Sequence, residues 1–160
     1  MTGNRPSPAD TAQRAALKGA EKTQDALTAA QEHLFRVLRR PQPSRERRWA
    51  EAVQAELAAA VAALREHRLE VERQEGLYAE LRRDAPWTEP RIRQIGAQLR
   101  RTEAEAADLQ VEVARVMEGD FHALPAIRAD AERMLRTLGD LMSNEADLIW
   151  ERFNEPAALD

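Results

Sequence analysis

RERRWAEAVQAELAAAVAALREHRLEVERQEGLYAELR, residues 45–82, decides how the rest of the chain is read. Trp49, Val53, Leu57, Ala60, Leu64, His67, Val71 and Tyr78 recur along it at helical steps, with one double step before Tyr78. This spacing puts them on one face of an α-helix, whose repeat is about 3.6 residues. Every member is apolar or semi-apolar except His67. A titratable ring in an otherwise greasy stripe is where chemistry, if this helix carries any, is to be sought.

Proline sets the boundaries outward from there, because it is accepted in a helix's first turn and disrupts its interior. The prolines fall at 6, 8, 41, 43, 86, 90, 125 and 156. They predict helices over about 8–40, 44–83, 89–117 and 125–154, with residues 1–6 a disordered tail, 7–155 a single domain and 156–160 a frayed end. Ser7-Pro8-Ala9-Asp10 reads as a capped helix start. Ser44 and Thr88 are the expected caps of the second and third helices, and Gly119 the end of the third. A left-handed Gly76 after Glu75 would break the second helix, folding Leu77 back onto Val71 and leaving 77–83 as a short separate turn.

The other helices carry stripes of their own. The first shows Leu17, Ala20, Gln24, Leu27, Ala30 or Gln31, Leu34 and Leu38. The third shows Ile92, Ile95, Leu99, Thr102, Ala106, Leu109, Val113 and Val116. The fourth shows Ile127, Ala131, Met134, Leu138, Leu141, Glu145 and Leu148. No β-branched run bounded by turns predicts a strand. The fold expected is all-α, an antiparallel up-down-up-down four-helix bundle. Residues 41–44 and 118–125 then share one end, and 84–90 and both termini the other. Phe35, Trp49 and Phe121 are expected to plug the first end, and Tyr78, Trp87, Trp150 and Phe153 the second.

Composition narrows the function classes. Charged residues make up 32% of the 160 and aromatics 4%, so the core is expected to be thin and alanine-rich. A net charge of −4 argues against a nucleic-acid partner, which needs a concentrated basic face. The cluster Arg39, Arg40, Arg45, Arg47 and Arg48 reads instead as a solvated turn. The absence of cysteine excludes disulfides, thiolate metal sites and cysteine nucleophiles. With no signal-like apolar segment and no bilayer-length run, a cytoplasmic protein without a membrane partner is expected.

Depth along the bundle brings two polar residues together. At about 1.5 Å per residue, His67 lies ~33 Å from Ser44 and Glu145 ~30 Å from Pro125. Both should meet in the lower half of the core, near Thr102 and Glu103. Such a pair is either a buried hydrogen bond or part of a metal site. A ferritin-like site needs Glu-x-x-His, but Leu64 stands three before His67, and neither His33 nor His122 has the spacing. Metals that favour imidazole want more than one, so no metal ligand is assigned firmly. If a metal is held, His67 and Glu145 are the ligands that depth in the bundle supplies. No catalytic residue, glycine-rich phosphate loop or bound cofactor is expected.

Glu66-His67, Glu72, Gly76-Leu77-Tyr78-Ala79-Glu80 and Asp84-Ala85-Pro86 resemble the early part of actinobacterial hemerythrin-like proteins. Ala146-Asp147-Leu148-Ile149-Trp150-Glu151-Arg152-Phe153 is similar to their tail, and Trp49 after a proline turn fits as well. The resemblance spans residues 34–153. It implies a four-helix bundle that, in intact members, holds iron through histidines and carboxylates. This chain departs from the pattern at Ala97-Gln98, where relatives tend to carry Glu-His, and at Leu141, where they carry histidine. A non-enzymatic bundle without a complete di-iron site is therefore expected. Its role would be structural or protein-interacting, with an unknown protein or a second copy as partner. The alternative that the resemblance implies is a metal-binding or oxygen-sensing protein using His67 and Glu145, with Glu72 as a further ligand and iron as the metal.

Overall fold

The computed structural model describes Gly3, residues 5–40 and residues 44–154, the last two without their side chains. The turn at 41–43, the Phe153 plug and the frayed end at 156–160 lie outside the described residues, as does part of the expected N-terminal tail. Five helices follow in order: α1 (Pro8–Leu38), α2 (Glu46–Glu72), α3 (Leu77–Asp84), α4 (Glu89–Met117) and α5 (Leu124–Asn154). Single 3-10 turns at Pro86–Thr88 and Phe121–Ala123 precede the last two. The four long helices form the expected antiparallel bundle, with no strand among the described residues. α1 packs on α2, α2 on α4 and α4 on α5, while the α5–α1 seam is the least closed of the four. The short α3 fills the lower end against α1, α2 and α5.

The chain starts as its sequence predicts. The Asp10 amide donates to Ser7 Oγ at 3.1 Å and the Ser7 amide to Asp10 Oδ2 at 3.3 Å, a complete capping box before α1. The ends of α2 differ from expectation. Ser44 sits at φ 66°, in the left-handed region, so Arg45 takes the cap position and no side chain caps the helix. Gly76 is not left-handed but extended, at φ −87° and ψ −176°. Its lack of a side chain serves close approach instead: a Cβ there would stand 2.4 Å from the Glu70 carbonyl oxygen. The left-handed closure occurs at Gly119, at φ 109°. There the Gly119 amide bonds the Val116 carbonyl and the Asp120 amide the Arg115 carbonyl, both at 3.0 Å. Thr88 caps nothing; its hydroxyl donates to the Ala85 carbonyl at 2.7 Å.

Apolar burial falls into an upper cluster around Leu34, Trp49, Leu57, Val113 and Ile127 and a lower one around Leu27, Leu64, Tyr78, Leu99 and Leu141. Trp49 and Tyr78 are buried as expected. Phe35, Phe121, Trp87 and Trp150 are not plugs, being 43%, 41%, 71% and 60% exposed. Register explains two of these: Leu34 and Leu148 take the core slots, which turns Phe35 and Trp150 outward. Asp84 ties the lower end together, accepting from Gln13 on α1 at 3.1 Å and pairing with Arg152 on α5 at 3.2 Å.

Candidate functional site

α2 delivers His67 to the lower core with Leu64 and Val71 one turn to either side. α5 delivers Glu145 between Leu141 and Leu148. Apolar flanks of this kind drive both polar side chains into the interior, where they must find partners. They find each other: His67 Nε2 lies 2.8 Å from Glu145 Oε1, and both side chains are 0% exposed. Two further residues complete a chain of contacts. Thr23 Oγ1 on α1 lies 2.7 Å from His67 Nδ1. Tyr78 on α3 donates its hydroxyl to Glu145 Oε2 at 2.7 Å. Thr23, His67, Glu145 and Tyr78 thus link four of the five helices through one buried polar cluster.

Hydrogen counting together with charge balance favours one wiring of the cluster. Thr23 Oγ1 also lies 3.2 Å from the Gly19 carbonyl and 3.1 Å from the Ala20 carbonyl. Both carbonyls can only accept, so the single hydroxyl hydrogen can go to the helix backbone, as it commonly does for a helical threonine, and the charge balance of the cluster favours that direction. The hydroxyl oxygen then accepts from His67 Nδ1–H. The Nε2–Oε1 contact holds one further proton, and the cluster as a whole is neutral. The opposite wiring, with Thr23 donating to Nδ1, would leave a net negative charge in an apolar interior, which is far costlier. Tyr78 stays protonated to unusually high pH. Burial is the main cause, followed by the negative charge of Glu145 and the hydrogen bond to it.

The sequence-predicted residues separate into those that meet and those that do not. His67 and Glu145 converge. Thr102 is buried, but its hydroxyl bonds the Gln98 carbonyl at 2.8 Å rather than the imidazole. Glu103 and Glu72 face outward and share Arg68, at 2.6 Å and 3.4 Å; Glu72 also meets Arg100 at 3.0 Å. The hydrogen bond to Glu103 is the main influence raising the Arg68 guanidinium above its ordinary value. His33 is surface-bound, 3.8 Å from Glu56, and His122 stands exposed in the turn before α5. Among the described residues, no three histidine or acidic side chains gather as a metal set.

Sequence reasoning missed Thr23 and the partner of the Tyr78 hydroxyl. The α1 stripe was read through Leu17 and Gln24, whereas the buried line is Ala16, Ala20, Thr23 and Leu27. An alternative frame of small residues was present in the pattern, but leucine outweighs alanine in any such reading. Tyr78 fills the lower end as expected, but nothing in the sequence pairs its hydroxyl with a residue on the last helix. No helix among the described residues is long and apolar enough to cross a membrane. No family model, curated protein or solved structure matches the chain.

Proposed function

We propose that the chain is a non-enzymatic, hemerythrin-like helical bundle without a complete di-iron site, acting as a structural or protein-interaction module. One observation carries the reading: both ring nitrogens of His67 are engaged, by Thr23 and by Glu145, inside a buried cluster. A metal-binding imidazole needs a lone pair facing the ion, and a general base needs one facing a substrate. Here neither nitrogen faces open space. The cluster's chemistry is that of a polar clasp, which selects one register among otherwise interchangeable alanine-rich faces.

A second reading, a metal-binding or oxygen-sensing bundle, is favoured by the direct contact of an imidazole and a carboxylate at the core. It requires His67 to turn Nε2 away from Glu145 Oε1 toward an ion. Metal analysis of the purified protein, with His67→Ala as the control, separates the two. Trace metal that the substitution leaves unchanged agrees with the clasp. Stoichiometric iron lost on substitution defeats it.

A further inference from the structure

The open α1–α5 seam carries an apolar groove rimmed by charged side chains. Phe35 and Gln31 on α1 and Leu135 on α5 line it, with Glu32, Glu132 and Arg136 among its rim residues. Phe35 is 43% exposed, with Arg39 stacked over its ring at 5.2 Å. One turn beyond Leu135, Gly139 is solvent-exposed, and a Cβ there would meet nothing within 4 Å. A glycine in mid-helix weakens the helix, and no contact among the described residues accounts for it. A bare helix surface beside an apolar groove does suit the close approach of another helix.

The charges on the rims indicate which helix that is. Thr23 and Glu145 are level, because both contact His67. Nine residues along from each, Glu32 on α1 comes level with Arg136 on α5; thirteen along, Arg36 comes level with Glu132. Each rim therefore carries one acid and one base, in opposite order. None of these four side chains has an ion pair or hydrogen bond among the described residues, although arginines elsewhere are widely paired. A two-fold axis parallel to the bundle lays α1 against the partner's α5. It sets Glu32 opposite the partner's Arg136 and Arg36 opposite the partner's Glu132, so the pattern is complementary to itself.

We propose that this seam binds a second copy of the chain, forming a two-fold dimer that buries Phe35 and Leu135 between helices α1 and α5 of the two protomers. The dimer gives a specific partner to the interaction module proposed above and rests on that reading. The two are tested separately, since metal content and mass are independent readouts.

Sedimentation of the full chain from low micromolar to millimolar concentration tests it. A reversible monomer–dimer equilibrium is expected, with Leu135→Asp weakening it about tenfold or more at unchanged helicity. Arg136→Glu, a surface change that leaves the fold intact, should weaken it by placing Glu32 against a like charge. Adding Glu32→Arg should restore it, because the pair is re-formed with its signs exchanged. A monomer at every concentration overturns the proposal, and so does a dimer indifferent to Leu135→Asp. A dimer weakened by Arg136→Glu but not restored by Glu32→Arg overturns the arrangement of α1 against the partner's α5.

Discussion

His67 Nε2 and Glu145 Oε1 stand 2.8 Å apart in the closed core, though 78 residues separate them in the chain. Their helices, α2 and α5, are not sequence neighbours in the bundle, so the contact forms only when the whole bundle has assembled. Removing either partner therefore costs more than a surface substitution. His67→Ala leaves the Glu145 carboxylate short of a partner and opens a cavity beside it. A loss of about 3–5 kcal/mol is expected, the range for breaking a buried ionic pair, to be read by denaturant unfolding. A loss under about 1 kcal/mol, typical of an exposed pair, would sink the idea that the contact holds the bundle together.

Tyr78→Phe keeps the ring and deletes one donor to a buried carboxylate. A loss of about 1.5–3 kcal/mol is expected, with little change in helicity. Thr23→Val deletes the hydroxyl that receives Nδ1–H, and it should cost about 1–3 kcal/mol through the same kind of unsatisfied group. If Thr23→Val is neutral while Tyr78→Phe is costly, the wiring through α1 is wrong.

Alkaline pH should loosen the fold through Tyr78. The folded phenol is held far above its ordinary value near 10, chiefly by burial, while the unfolded one ionises normally. The stabilisation is complete below about pH 10 and declines above it, because only the unfolded state releases the proton there. Tyr78→Phe should flatten that decline in unfolding curves taken up to strongly alkaline pH. An equal decline in the variant would contradict the assignment. On the acid side, the hydrogen bond from Arg82 holds Glu89 below its ordinary value. Its small contribution is present at neutral pH and fades as pH falls through the depressed value, and Arg82→Gln should remove that part of the acid sensitivity.

Gly76→Ala tests the break between α2 and α3. The added methyl would press on the Glu70 carbonyl, which is backbone and cannot swing aside. Overpacking of this sort costs about 1–3 kcal/mol. Because Gly76 is extended rather than left-handed, a D-amino acid at this position should not rescue the loss, whereas at Gly119 it should.

The fold was legible because periodicity and proline spacing act locally. The His67 stripe, the Ser7 box and the end at Gly119 each follow from a few neighbouring residues. The meeting of His67 and Glu145 was legible too, since depth in an antiparallel bundle follows from counting turns. Thr23 was not, because an alanine-rich helix offers two stripes one residue apart and only packing against α2 chooses between them. Trp87 and Trp150 are expected inward because they stand at the lower end of the bundle, but Leu148 takes the core slot beside Trp150, and Trp87 stands exposed in the 3-10 turn before α4. The role of Gly76 depends on where the Glu70 carbonyl lies after the chain reverses, a tertiary fact that no local pattern encodes.

The most direct measurement is denaturant unfolding of the cluster rebuilt from apolar parts. His67→Leu, Glu145→Leu and the combination of both with Tyr78→Phe are compared with wild type. If the four groups form a closed clasp, each single leucine variant loses about 3–5 kcal/mol, whereas the combination, which strands no polar group, recovers most of that loss. A combined variant no more stable than the worse single one would contradict the account.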